Sequence, residues 1–435
     1  MTIPSLVDRA ISVLRSNDTG IFTRPGPHQY PHQWNWDSAL IALGFSHFDL
    51  PRAQMEIRAL LSGQWLDGML PHVVYHDAPS DYFPPAVFWQ TENRPHAPRV
   101  PTSGITQPPL LATVVWLIHN RRPMPDFIQE IYPALLDWHR WLHTARDVDS
   151  SGLACIIHPW ESGTDDSPRW LDLLAAIQPE TVPEFQRGDT RYVPALERPH
   201  RAEYERFIHL IDIFRKLGYA PVDLLAHSPF LVQDVLFNSI LFRADEDLRA
   251  MALILNQPTD EIDVWLSRMR SSFDARFWND QKGLYYDYDS RSERSIQVNT
   301  ITTFLPLFAG VASKAQAERL INSHLTDPNE YAPRDGIRYG VTTTARTEPT
   351  WEPRRYWRGP VWIITNWLLM EGLQRYGYDD LVDNVRQDTL RLVELSGFRE
   401  YYDARDGSGC GSDDFSWSAA LTLELLMAPP KVENK

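Results

Sequence analysis

Two kinds of helical stretch coexist along this chain of 435 residues, and they restrict its fold more than any other feature. In "MTIPSLVDRAISVL", Ile3, Leu6, Val7, Ala10, Ile11 and Leu14 fall on one stripe, as do Phe127, Ile131, Ala134, Leu135, Trp138 and Leu142. Recurrence at three and four residues marks helices with one face in solvent. By contrast, "FLVQDVLFNSILF" (230–242) and "VWIITNWLLMEGL" (361–373) are apolar on most sides, which suits helices covered by neighbours all round. The two kinds together are what concentric rings require, because an inner helix touches both the outer ring and the centre. An all-α double ring is the expected fold.

The turns "DGML" at 67, "DSSGL" at 149, "NDQKGL" at 279 and "RDGSG" at 405 recur loosely between these stretches. Short strands are expected after such turns, as in "GLYYDYDS" (283–290). Proline-rich segments at 79–109, 178–204 and 325–360 all carry aromatics, so they read as ordered long loops rather than linkers. No domain boundary stands out. One domain is expected over 1–435, with 178–204 and 325–356 as candidate lids.

A formal charge of -15 without a basic block repels a polyanion, so nucleic acid is not an expected partner. The N-terminal stripe contains acid and base and does not read as a signal peptide. No stretch approaches the roughly 20 apolar residues of a membrane span. Two distant cysteines, Cys155 and Cys410, make no disulfide framework. A cytoplasmic protein is the expectation; a homo-oligomer is allowed but not specified.

The segment "WESGTDDSPRW" (160–170) sets three carboxylates between two indoles. Ser167 before Pro168 reads as a helix N-cap, with Asp166 beside the positive helix end. Glu161 is either a solvated loop acid or the partner of Arg169. Asp165 remains, beside a glycine turn and within reach of Trp160 or Trp170, where a carboxyl group can stay protonated. A second segment, "GFREYYDARDGSGCGSDDFSW", puts Glu400 between Arg399 and two tyrosines. Its glycine-rich loop is no phosphate cradle, because Asp413 and Asp414 at the helix start would repel an anion; they read as caps.

Aromatic residues cluster in "HQYPHQWNWDSAL" (28–40), with Tyr30, Trp34 and Trp36, and in "RRYWRGPVW" (354–362), with Trp357 and Trp362. They alternate with polar groups just ahead of predicted helix starts at Asp37 and Pro360. Flat rings flanked by donors and acceptors suit a sugar. The spacing of His139 with His143, and of His72 with His76, lacks a third ligand, so paired surface or packed histidines are expected rather than a metal. No nucleophile elbow, Walker loop or dinucleotide fingerprint is present, and no cofactor is expected.

Taken in order, "YPHQWNWDSA", "SGITQPP", "WESGTDDSP", "YWRGPVW" and "REYYDARDGSG…FSWSAAL" resemble the motifs of glycoside hydrolase family 63, most closely its compact bacterial glucosylglycerate and mannosylglycerate hydrolases. The resemblance spans about residues 20 to 426. It implies an (α/α)6 barrel and an inverting hydrolase of α-linked sugars, with Asp165 as general acid and Glu400 as general base. Tyr30, Trp34, Trp36, Gln107, Trp357 and Trp362 match pocket-lining groups, with Asp37, Trp160 and Gly163 beside them. Arg198 and Tyr204 match the pair that meets glycerate, with Tyr82 as neighbour. One departure is Asp166, where the family usually has Asn. The other is the loop "GCGSDD", which matches no substrate-contacting polar residue.

Inverting hydrolysis needs one protonated carboxyl and one carboxylate roughly 6.5 to 9.5 Å apart, with a water between. An Arg198 guanidinium would select an aglycone carboxylate. The implied substrate is 2-O-α-glucosylglycerate, with mannosylglycerate second and other α-glucosides of the family as alternatives. Two rivals are a sugar epimerase or isomerase using His158 and His32, and a non-catalytic sugar-binding protein.

Overall fold

The computed structural model describes residues 5–76, 81–179 and 181–427. Ile3, and residue 180 of the first candidate lid, lie outside these. The chain is mostly helical. Twelve helices carry the framework: α1 (Leu6–Asn17), α2 (Asn35–Phe45), α3 (Leu50–Leu61), α4 (Leu111–Arg121), α5 (Pro125–Ala145), α6 (Val235–Ile254), α7 (Asp260–Phe277), α8 (Leu305–Ala309), α9 (Lys314–Leu320), α10 (Ile363–Arg375), α11 (Asp379–Ser396) and α12 (Ser416–Met427).

Their contacts divide alternate helices into two sets. Helix α2 touches α4, α4 touches α6, and the chain of contacts runs on through α8, α10 and α12 back to α2. Odd-numbered helices pack outside: α1 on α12, α3 on α2, α5 on α4 and α6, α7 on α6, and α11 on α10. Burial separates the two sets. All eleven residues of α2 and all five of α8 are buried, whereas α11 buries only Val382, Thr389, Leu392 and Val393.

Local chemistry explains the ends. Helix α1 starts at a reciprocal cap, the Ser5 hydroxyl accepting from the Asp8 backbone N–H while the Asp8 carboxylate accepts from the Ser5 backbone N–H. Helices α2 and α10 begin at Asn35 and Ile363 rather than at the expected Asp37 and Pro360. Pro360 does not open a helix; it leads into Val361, which bridges Tyr402. Asp413 and Asp414 are exposed, and no capping bond from their side chains is found among the described residues.

Short antiparallel strands lie just ahead of inner helices and tie their N-terminal ends together. Gln33–Trp34, before α2, pairs with Val73–Val74. A four-stranded sheet runs Cys155–Ile156, Val232–Gln233, Asp287–Asp289, Arg294–Ile296, its second strand leading into α6. Tyr401–Tyr402 pairs with Gly409–Cys410. The strands expected within "GLYYDYDS" are there, as Leu284–Tyr285 and Asp287–Asp289.

The histidines at i and i+4 on α5 are packed, not exposed. His139 Nδ1 lies 2.6 Å and His143 Nε2 2.9 Å from the two oxygens of buried Asp245 on α6. Both cysteines are free and buried. Among the described residues no helix is long and apolar enough to cross a membrane.

The first and last inner helices meet at a glycine. A Cβ on Gly44 would lie 2.5 Å from Ala420 Cβ and 2.6 Å from its Cα, and backbone cannot yield as a side-chain tip can. Gly44→Ala is therefore expected to lower stability by about 1–3 kcal/mol through overpacking. Urea unfolding would measure this, and an unchanged midpoint would contradict the close approach.

Candidate active site

One cavity opens at the N-terminal ends of the inner helices, with a volume of about 790 Å³ including its open mouth. Tyr30, Trp34, Trp36, Asp37, Tyr82, Gln107, Trp160, Gly163, Asp165, Arg198, Tyr204, Trp357 and Glu400 all line it. Thirteen side chains or backbones predicted from distant segments thus come together. Trp362 does not line the cavity. It is fully buried and stacks behind Trp357, with ring centroids 3.6 Å apart and planes 9° apart, and its indole N–H donates to the Tyr356 carbonyl. Its place in the motif marks a support for the wall rather than the wall itself.

The loop carrying Asp165 is shaped by two 3-10 turns, Pro159–Ser162 and Pro168–Trp170. Between them Gly163 adopts φ +70°, and a Cβ there would lie 2.6 Å from the Trp36 ring. Glycine thus serves both the left-handed conformation and the close packing of loop on indole.

The expected roles of Asp165's neighbours need correction. Ser167 makes no capping bond; its hydroxyl accepts from Arg169 Nε. Asp166 faces no helix end: its carboxylate accepts from Arg355 Nε at 3.1 Å and Arg358 Nη2 at 2.8 Å. Glu161 is neither solvated nor paired with Arg169. It is buried and accepts from Arg146 Nη2 at 2.6 Å and from the Ile157 and Thr106 backbone N–H groups. Arg169 instead donates to Asp234, Asp287 and the Thr164 hydroxyl. Each correction has one cause: a buried charge takes the partner that folding brings to it, whatever its distance in sequence.

Glu400 precedes the Tyr401–Tyr402 strand, and its Oε2 accepts the Ser412 backbone N–H at 2.9 Å, which gives the "GCGSDD" loop a function in holding this acid. Oε1 accepts from Tyr30 Oη at 2.6 Å and from Arg198 Nη1 at 3.5 Å. The cation beside Glu400 is therefore Arg198, not the adjacent Arg399. The adjacent tyrosines turn elsewhere: Tyr401 Oη donates to the Glu197 carbonyl and Tyr402 Oη to that of Gly397.

The two acids have unlike surroundings. Burial lifts Asp165 to about 7; Arg198 pulls it down, while Asp166 and Glu400 add to the rise. Burial also raises Glu400, but Arg198, Tyr30 and the Ser412 N–H draw it back. Asp37 is pushed well above the usual carboxylate range by burial, with Glu400 adding to it.

Sequence reasoning missed Gln29, His72, Phe83, Asp189, Tyr356 and Trp417, all in the lining. Tyr356 and Trp417 sit inside motifs already singled out, so adjacency was the available signal. Asp189 gave none; it accepts from Arg187 and, at 3.4 Å, from Arg198 Nε. His158 and His32 are outside the lining. Burial lowers His158 to about 3, and its nitrogens meet the Phe207 carbonyl and the Trp160 N–H; His32 falls to about 4 for the same first reason.

Indoles bounding a cavity with buried acids make a site suited to a sugar, and comparison gives the family. Residues 30–418 match the mannosylglycerate hydrolase MGH1-like glycoside hydrolase domain. The chain is 43% identical to a mannosylglycerate hydrolase of Thermus thermophilus, covering 95% of this chain and 99% of that one. It is 33% identical to a glucosylglycerate hydrolase of Mycolicibacterium hassiacum, covering 98% of both. A crystal structure of the family 63 mannosylglycerate hydrolase from Thermus thermophilus, in complex with Tris and D-glycerate, superposes with a TM-score of 0.90 at 42% identity, over 96% of this chain and 99% of that one. The chain belongs to this family of glycoside hydrolases, within family 63.

Arg198 lowers both acids, so its removal has a defined sign. In Arg198→Met the Asp165 carboxyl is expected to titrate above its present value of about 7, and Glu400 is expected to shift upward as well. Carboxyl carbon NMR across pH would follow both; an unmoved Asp165 would contradict the coupling.

Proposed function

We propose that this chain is an inverting α-glycosidase that hydrolyses a hexosylglycerate to hexose and glycerate. The reading is carried by the asymmetry of two acids in one cavity: Asp165 is lifted to about 7, while Glu400 is held by three donors. Environments that push two carboxyls apart mark an acid and a base. Asp165 protonates the glycosidic oxygen as the bond breaks. Glu400 takes a proton from the water that attacks the anomeric carbon from the other side, inverting it.

Trp34, Trp36, Trp160 and Trp357 bound the sugar, their ring faces meeting its C–H faces. Gln107 and Asp37 lie in the lining as partners for its hydroxyls. Arg198 and Tyr204, with Tyr82 near them, take the glycerate end, the guanidinium pairing with its carboxylate. The substrate is 2-O-α-glucosylglycerate, with 2-O-α-mannosylglycerate beside it because relatives of both names align along their full lengths. The framework is an (α/α)6 double ring, supported by the closed circuit of contacts from α2 through α12. It forms one domain over 1–435. Of the candidate lids, 178–204 brings Asp189, Arg198 and Tyr204 to the cavity, and 325–356 brings Tyr356.

Incubation with each compound, with released hexose measured and its anomer observed by NMR before mutarotation, tests the proposal. Hexose with the inverted configuration is expected. No release from either compound would remove the substrate, and a retained configuration would remove the mechanism. Asp165→Asn and Glu400→Gln are each expected to lose at least about 10²-fold in kcat. Because Asp165 acts in its protonated form, kcat/KM should fall as pH rises through about 7. An isomerised product without free glycerate would point instead to the epimerase class.

A further inference from the structure

Behind the acid loop lies a buried cluster that the proposed chemistry does not use. Asp166 accepts from Arg355 Nε at 3.1 Å and from Arg358 Nη2 at 2.8 Å, and its carbonyl accepts from Arg358 Nε. Glu203 accepts from Arg355 Nη2 at 2.9 Å and Arg358 Nη2 at 2.5 Å. His200 also contacts Arg355, and Glu352 lies 3.7 Å from Arg355 and 3.9 Å from Arg358. Asp166, Arg355 and Arg358 are each at least 94% buried.

These residues belong to three segments of the cavity wall. Asp166 follows Asp165. Arg355 and Arg358 flank Tyr356 and Trp357, and Glu203 precedes Tyr204, all three of which line the cavity. We propose that Asp166 is a positioning residue for the reaction, fastening the Asp165 loop through Arg355 and Arg358 to the sugar wall and to the helix that carries Tyr204. The proposal rests on Asp165 being the general acid.

The geometry has an electrostatic consequence. A neutral residue could keep some of these hydrogen bonds but not the charge. Asp165 is faced by Arg198, which lowers it, and by Asp166 and Glu400, which raise it; Tyr82 and Tyr356 are close enough for their own ionisation to be opposed by Asp165. Burial raises the Asp166 carboxyl, and Arg358 and Arg355 on its far side oppose that rise. In its ionised form Asp166 adds to the rise of Asp165 and favours the protonated acid there.

The test is the pH dependence of kcat/KM for whichever of glucosylglycerate or mannosylglycerate is hydrolysed. In Asp166→Asn the basic limb is expected to move down by roughly one pH unit, so that activity drops about tenfold above the limb and within a few-fold below it. Asp166→Glu, which keeps the charge, should restore the limb. Glu203→Gln loosens the same arginines without altering the charge beside Asp165, so it should lower the melting temperature and leave the limb in place. If Asp166→Asn does not fold, the charge-balanced pair Asp166→Asn with Arg355→Met carries the same comparison. A limb unmoved by loss of the Asp166 charge, or moved equally by Glu203→Gln, would overturn the proposal. Full activity in Asp165→Asn would overturn the assignment of the acid itself, a separate result.

Discussion

Four carboxyl groups, those of Asp37, Asp165, Asp189 and Glu400, face one cavity, and Arg198 is the only arginine or lysine lining it among the described residues. Buried like charges cannot all remain ionised without partners, and this shortage of positive charge shapes the site. Glu400 meets it with three donors. Asp189 meets it with Arg187 and Arg198, and its carboxyl is drawn below the usual range. Asp37 and Asp165 are left to rise. A proton near neutrality therefore resides on Asp165, where burial outweighs the pull of Arg198.

The arginines the cavity lacks are in its outer shell. Arg146 holds Glu161, Arg169 holds Asp234 and Asp287, and Arg355 and Arg358 hold Asp166 and Glu203. Each pair is a poor source of net stability, because desolvation cancels much of the attraction. Each is nonetheless hard to break one partner at a time, and that fixes loop position. Arg169 reaches Thr164 from one side while Arg355 and Arg358 reach Asp166 from the other, so Asp165 lies on a loop held at both flanks.

This arrangement also explains what the sequence could tell. Periodicity reports burial of a helix face, so the mixture of one-sided and all-round stretches pointed to two sets of helices, and the stripe on Phe127 to Leu142 became α5 as expected. Indoles among polar residues ahead of inner helices were legible too, since the mouth is where those helices begin. Partners were not. Arg355 is 189 residues from Asp166 and Arg198 is 202 from Glu400, and local pattern carries no information across such gaps. The nearest cation in sequence, Arg169 for Glu161 or Arg399 for Glu400, was the wrong one each time. Trp362 failed for a related reason: a motif aromatic can support a wall from behind as well as form it, and only packing distinguishes these.

Arg198 is also the group to which the proposed reading assigns the anionic end of the ligand. Its bonds to Glu400 at 3.5 Å and to Asp189 at 3.4 Å are both long, and its guanidinium lies 3.9 Å over the Tyr356 ring. A fork held this way is positioned but not saturated, so it retains capacity for a planar anion that approaches at shorter range. An incoming carboxylate would share the space with Asp189 and Glu400, and Arg198 is the cation in the described lining that could pair with it. A neutral sugar needs no such pairing, because indoles and scattered polar groups suffice for it. On the proposed reading, a ligand with one anionic end and one neutral ring would place its anion at the guanidinium and its ring among the indoles.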